Sequence, residues 1–154
     1  MDTSYHEFTT LRIVSISIKP QQLNSIGVTL RRLERYDDAL AYLQVALATN
    51  HQAEQMLLEG HGLAAMGDVY CDLGEPEQAL ERYQASLDIR REIGDQRGEG
   101  WMLHALAKVH AAQGRITQAG DCTEQATAIA QASGDEDLRL ACDQLRTELP
   151  DGSG

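Results

Sequence analysis

The sequence lacks several features that would assign it to a membrane or secreted class. No apolar run approaches the roughly 18 residues that cross a bilayer, and the N-terminus lacks the charged-then-apolar layout of a signal peptide. The three cysteines at 71, 122 and 142 are an odd number without CxxC spacing. We therefore expect no membrane span, a reducing cytoplasmic location, and free buried thiols.

Positive charge is also scarce. Thirteen basic residues face 24 acidic ones, which gives a net charge of -11. Because affinity for nucleic acid depends on clustered Lys and Arg, this balance argues against direct nucleic-acid binding. The acidity is typical of a soluble protein and favours basic or neutral partners. At 154 residues, 42% hydrophobic and 24% charged, the chain has the length and balance of one globular domain.

Catalytic motifs are missing as well. The sequence has no HExxH, paired-cysteine, phosphate-loop or nucleophile motif. His61, Asp68 and His104 have the chemistry of a metal or acid–base site. Their spacing, however, places them on the side of neighbouring helices where polar residues are expected in any case. His110 is expected to be a core histidine. We predict no enzyme activity, no metal and no cofactor.

What the sequence does contain is a repeat with a period of 40 residues. Leucines, small residues and Gly-Asp pairs recur every 40 residues. The leucines are Leu23, Leu63 and Leu103, the small residues are Gly27 and Gly67 and then Ala39, Ala79 and Ala119, and the Gly-Asp pairs are at 94–95 and 134–135.

The apolar spacing inside each repeat is helical. In the second repeat, Gly74 suits the left-handed end of a first helix and Pro76 suits the first turn of a second. One such hairpin cannot close a core alone, so successive hairpins must stack into a right-handed solenoid. The packing sides are Leu63, Met66, Gly67, Tyr70 and Leu73 on the first helix, and Ala79, Leu80, Tyr83, Ser86 and Leu87 on the second.

These residues resemble the tetratricopeptide repeat signature W-x2-L-G-x2-Y followed by A-x3-F. The second repeat reads Leu63-x2-Met66-Gly67-x2-Tyr70, then Ala79-x3-Tyr83, and its neighbours match more weakly. The resemblance covers about Pro20 to Leu145. A 40-residue period is longer than the usual 34 and resembles the long repeats of bacterial signalling and regulator proteins and of animal spindle-orienting adaptors.

The predicted fold is an all-α right-handed α-solenoid of about three tetratricopeptide-like hairpins and a C-terminal capping helix. The hairpins are assigned to residues 20–54, 55–94 and 95–134, the capping helix to 135–148 with Asp135 as N-cap, and a disordered tail to 149–154. Residues 1–19 are uncertain. Their stretch 11–18 alternates like a strand, and it is interpreted either as an incomplete preceding helix or as a segment exchanged between two protomers.

The resemblance implies that the first helix of each repeat lines a concave groove. Trp101 is either a binding anchor there or a residue packed against the turn near Ile93. Helical spacing places His61, Ala65, Asp68 and Asp72 on the groove face of the second repeat. The full set of predicted partner-binding residues is Asn24, Arg31, Arg32, His61, Asp68, Asp72, Trp101, His104 and Lys108.

The resemblance also bears on the kind of ligand. Family members that clamp a C-terminal carboxylate carry an Asn where this sequence has Val28, Asp68 and Lys108. Asp68 instead predicts a cationic group on the ligand, and Lys108 with Arg31 or Arg32 predicts an anionic one; a longer extended peptide could use both. The predicted function is a protein-interaction module that binds a peptide or partner segment. The alternatives are a sensory or regulatory domain of a bacterial transcription regulator, and a self-associating unit that forms a homodimer.

Overall fold

The computed structural model describes residues 18–49 and 55–150, and within these ranges all regular structure is helical. This confirms the predicted all-α fold. The strand-like residues up to 17, residues 50–54 and the tail residues 151–154 lie outside the described residues. The helices are α1 (Pro20–Arg32), α2 (Tyr36–Thr49), α3 (Met56–Asp72), α4 (Pro76–Glu92), α5 (Gln96–Ala112), α6 (Ile116–Ser133) and α7 (Glu136–Glu148).

The helices form three hairpins, α1–α2, α3–α4 and α5–α6, that stack in chain order. Each second helix also packs on the first helix of the next hairpin, and α7 packs on both α6 and α5. Among first helices, α1 packs on α3 and α5 packs on α7. The closely packed pairs do not include α3 and α5, so a groove lies between these two helices.

Short turns with a left-handed residue set the hairpin geometry. The glycines at 74, 94, 114 and 134 have φ between 70° and 73°, a conformation that costs little without a Cβ. Glu34 takes the same role in the first hairpin with φ 59°. Asp95 and Asp135 then begin α5 and α7, because their carboxylates accept hydrogen bonds from the backbone N–H groups of Gly98 and Leu138.

The core lies between the two helices of each hairpin and between successive hairpins. Leu23, Leu63 and Leu103 are 1%, 7% and 3% exposed, as the 40-residue period requires. Helices approach closely where the signature has a small residue: a Cβ at Gly67 would lie 2.5 Å from the Tyr83 ring. The aromatic ring of α4 therefore fills the space left by the glycine of α3.

Three single-residue expectations are wrong. Leu73 was placed on the packing side but is 41% exposed, because it follows the last residue of α3, just before Gly74 turns the chain. Ala65 was placed on the groove face but is 7% exposed, because α3 is covered by the first hairpin as well as by α4. Cys71 was expected to be buried and is exposed.

Candidate functional site

A groove of about 600 Å³ opens between α3 and α5, and we call it the central groove. Its walls come from the later turns of α3, the start of α4 and most of α5, and one side chain of α1 reaches into it. It brings together six of the nine predicted binding residues: Arg31, Asp68, Asp72, Trp101, His104 and Lys108.

The wall formed by α3 carries two carboxylates that already have partners. Arg31 Nε donates to Asp72 Oδ2 at 2.6 Å, and Arg31 Nη1 donates to Asp68 Oδ2 at 3.3 Å. Tyr83 Oη donates to the other oxygen of Asp68 at 2.5 Å. The cation expected to come from a ligand at Asp68 is therefore supplied by α1 of the same chain.

The same network fixes the protonation of its donors. The hydrogen bond to Asp72 and the charges of both carboxylates outweigh burial and raise the pKa of Arg31. Burial, followed by the charge and hydrogen bond of Asp68, raises the pKa of Tyr83 far above its usual value. Arg31 stays charged and Tyr83 stays a neutral donor, so the network is stable across physiological pH.

The wall formed by α5 presents Trp101, His104 and Lys108 on successive turns. Burial, with the charge of Lys108 added, lowers the pKa of His104, so this imidazole is neutral at pH 7. The rings of Trp101 and His104 meet edge to face, with centroids 5.9 Å apart. Lys108 is exposed and makes no salt bridge within the described part of the chain.

Trp101 lines the groove and is also held by its own chain. It is half-buried against the core of the third hairpin, and its Nε1 donates to Asp135 Oδ2 at 3.3 Å. Part of the ring nevertheless lines the central groove. The indole is thus held in place by its own chain rather than being a free surface anchor.

A second cavity of about 610 Å³ adjoins the central groove at the first turns of α3 and α5, and we call it the adjoining pocket. His61 lines this pocket and not the central groove. Trp101 and Met102 line both cavities. Leu57 and Ile93 supply exposed apolar side chains to its wall.

Known protein families account for this architecture. Two family models, both described as tetratricopeptide repeat, match residues 21–57 and 61–132, together more than half of the chain. The chain belongs to the tetratricopeptide repeat family. The central groove therefore lies between the first helices of the second and third tetratricopeptide hairpins.

Two relatives carry the name 43 kDa receptor-associated protein of the synapse. The protein of Tetronarce californica is 25% identical over 122 residues, which cover 79% of this chain and 30% of the relative. The protein of Gallus gallus is 28% identical over 136 residues, which cover 84% of this chain and 32% of the relative. The tetratricopeptide chain thus spans about a third of the length of the curated relatives it matches.

Two predicted residues lie away from both cavities. Asn24 is 8% exposed, and its Nδ2 donates to the backbone oxygen of Leu58 at 3.0 Å, so it ties α1 to α3. Arg32 is exposed and lines neither cavity. The helical spacing predicts a packing role for Tyr83 and does not predict that its hydroxyl lies in the groove. The signal available in the sequence was Asp68, an aspartate on the first helix next to Gly67, which packs against the Tyr83 ring.

The residues considered as metal or acid–base candidates do not form one cluster. Among the described residues, no group of three or more His, Cys, Asp and Glu side chains is placed to hold a metal ion. The acid–base candidates are divided, since His61 lines the adjoining pocket whereas Asp68 and His104 line the central groove.

No helix in the described ranges is long and apolar enough to cross a membrane.

Proposed function

We propose that this tetratricopeptide protein is a protein-interaction module, not an enzyme, and that its central groove binds an extended peptide segment of a partner. The observation that carries the proposal is the open space of about 600 Å³ between α3 and α5. The other neighbouring first helices are packed: α1 packs on α3, and α5 packs on α7. Cavities of this size are typical of ligand sites. The two relatives are named as receptor-associated proteins of the synapse, which agrees with a role in association.

The mixed lining supports a peptide as the occupant. Ala105, Met102 and Val109 offer apolar contact, and Lys108 offers an unpaired charge beside them. A peptide main chain with alternating apolar and polar side chains matches such a wall better than a purely apolar ligand does. The free thiols at 71, 122 and 142 support a reducing, cytoplasmic setting for this interaction.

Site-specific photo-crosslinking tests the groove. A photo-reactive residue at Ala112, which is exposed and lines the central groove, should capture a partner from native lysate. The same residue at Gln131, exposed on α6 and outside both cavities, is the matched control. Equal capture at both positions would contradict the groove as the binding surface.

The identity of the captured chain decides between the two alternative roles. Another domain of a bacterial signalling or regulator system would support the regulatory role that the long repeat suggests. Capture of a second copy, together with light scattering that shows a concentration-independent dimer, would support self-association as the function.

A further inference from the structure

The central groove and the adjoining pocket form one continuous surface along α5. Trp101 and Met102 line both cavities, so a chain that follows α5 passes from one to the other without leaving the wall. The two ends of this surface differ in charge, and this difference restricts the ligand.

The surface of the adjoining pocket is more apolar than polar, and its charged groups are paired within the chain. Arg90 Nη1 contacts Asp95 Oδ2 at 2.5 Å, and Arg97 Nε contacts Asp135 Oδ2 at 3.1 Å. Burial, with the charge of Arg90 added, lowers the pKa of His61, so its ring is neutral at pH 7. What the pocket offers a ligand is therefore exposed hydrocarbon, from Leu57 at 44% exposed and Ile93 at 38%.

The central groove has the opposite character. Its two aspartates are held by Arg31 and Tyr83, whereas Lys108 makes no salt bridge with any described residue. The other unpaired charge of the lining is Glu75, at the turn before α4, where the positive end of that helix favours a carboxylate. Lys108 is thus the cation of the groove that is available to a ligand.

We propose, on the basis of the proposed function, that the partner segment carries a large apolar side chain for the adjoining pocket and a carboxylate for Lys108. Trp101, which lines the adjoining pocket, and Lys108 are seven residues apart on the same face of α5, about 10 Å along the axis at about 1.5 Å per residue. An extended peptide rises about 3.3 Å per residue, so the two groups lie about three positions apart. The recognised motif is an apolar residue and an Asp or Glu at that spacing, in either direction.

Selection from a displayed library of random octapeptides tests the motif. The wild-type chain should enrich peptides with a large apolar residue and an acidic residue two to four positions apart. Lys108→Glu should replace the acidic preference with a basic one and keep the apolar preference. Leu57→Asp should lose the apolar preference and keep the acidic one. Arg32→Glu makes the same charge change as Lys108→Glu outside both cavities, so its enriched peptides should match those of the wild type.

A synthetic copy of the most enriched peptide gives the magnitude. Its affinity should fall about tenfold or more in Lys108→Glu, because like charges would then face each other, and less than about twofold in Arg32→Glu. Enriched peptides with no acidic preference, or a preference unchanged in Lys108→Glu, would overturn the motif and leave the peptide-binding groove standing. Failure of the wild-type chain to enrich any peptide would overturn the proposed function and the motif together.

Discussion

Tyr83 joins the packing of the second hairpin to the central groove. Its ring fills the space beside Gly67, and its hydroxyl donates to Asp68 in the groove wall. A single residue therefore couples the position of α4 to the charge network of α3. Its contribution to stability is separable from its packing, because phenylalanine keeps the ring and removes the hydroxyl.

We expect Tyr83→Phe to lower the free energy of unfolding by about 1 kcal/mol, which is less than the roughly 1.5–3 kcal/mol typical of hydrogen bonds to charged groups. The low value follows because the Asp68 side chain is 43% exposed, so water replaces the lost donor. Urea denaturation measures the change, and an unaltered m-value would show that compactness is kept. Tyr70→Phe is the control, since Tyr70 is half-buried and its hydroxyl has no hydrogen bond among those described. Equal effects in the two variants would contradict the assigned role of the Tyr83 hydroxyl.

Two helical glycines make a matched pair for a second prediction. Gly67→Ala places a Cβ 2.5 Å from Cε1 of Tyr83, so the ring must shift, and we expect a loss of about 1–3 kcal/mol. Gly120→Ala meets no heavy atom within 4 Å, so the higher helix propensity of alanine should add about 0.5–1 kcal/mol. Thermal unfolding should therefore move Tm in opposite directions, and shifts of the same sign would refute the argument.

At the scale of the helix, the start of α5 depends on Asp95. This carboxylate accepts from the Gly98 N–H and pairs with the buried guanidinium of Arg90, so it caps α5 and ties it to α4. Burial by itself raises the pKa of Asp95, but the Gly98 N–H and Arg90 outweigh it, and the net pKa is lowered. Because the pKa is lower in the folded state, the ionised form stabilises the fold above the unfolded pKa of about 3.9.

This linkage predicts a pH-dependent difference between the wild type and Asp95→Asn. At pH 7 the wild type should be the more stable of the two, since Asn keeps a cap but leaves Arg90 without its carboxylate. The difference should begin to shrink as pH falls below about 4, where the carboxylate of the unfolded chain takes up a proton, and it should be lost as pH falls through the lower pKa of the folded carboxylate. Denaturation midpoints at pH 3, 5 and 7 measure it, with Asp121→Asn on the exposed side of α6 as the control. A difference that is constant with pH would rule out the charge as its source.

The second helix of the third hairpin should be the least stable of the second helices. In α4, Tyr83 and Ser86 both make hydrogen bonds to α3. In α6, Thr123 stands at the position equivalent to Tyr83 and donates to the backbone oxygen of Ala119 in its own helix. Position 120 adds a mid-helix glycine, and the described side-chain hydrogen bonds of α6 include none to α5, whereas those of α4 include bonds to α3 from both Tyr83 and Ser86.

Amide hydrogen exchange tests this difference directly. Residues 116–130 should exchange faster than residues 76–89 under native conditions, because local opening of α6 costs less free energy. Gly120→Ala should slow the exchange in the first range and leave the second unchanged. Exchange in 116–130 that is equal to or slower than exchange in 76–89 would contradict the assignment.

At the scale of the whole molecule, periodicity predicted the fold because each repeated position has the same local task. Leu23, Leu63 and Leu103 are buried in turn, and the apolar spacing inside each repeat predicted that the elements are helices. The pairings of the groove could not be read in the same way. Arg31 contacts Asp68 and Asp72, more than 35 residues away in the sequence, and Trp101 contacts Asp135, 34 residues away. These contacts depend on how separate helices pack, which the pattern inside one repeat does not specify.

The last helix shows how stability passes along such an array. Leu138 and Cys142 of α7 are fully buried, and a Cβ at Gly100 of α5 would lie 2.5 Å from Leu138, so α7 packs tightly on the third hairpin. Burial of a leucine is worth about 1.5–3 kcal/mol, and a whole domain has only about 5–15 kcal/mol to lose. In a stacked array each hairpin depends on its neighbours, so removing α7 destabilises α5 and α6 first.

We therefore expect a chain truncated after residue 134 to lose more helix than the 13 residues of α7 itself. Far-UV circular dichroism should show the excess loss, and hydrogen exchange should locate it in α5 and α6 while α1 to α4 stay protected. Leu140→Gln in the full chain is the control, since Leu140 is 54% exposed on α7 and its change should leave the third hairpin intact. Loss of α7 alone, with unchanged protection in α5 and α6, would show that the third hairpin is stable by itself. The central groove would then need no C-terminal helix to keep its α5 wall, and peptide binding by the truncated chain would match that of the full chain.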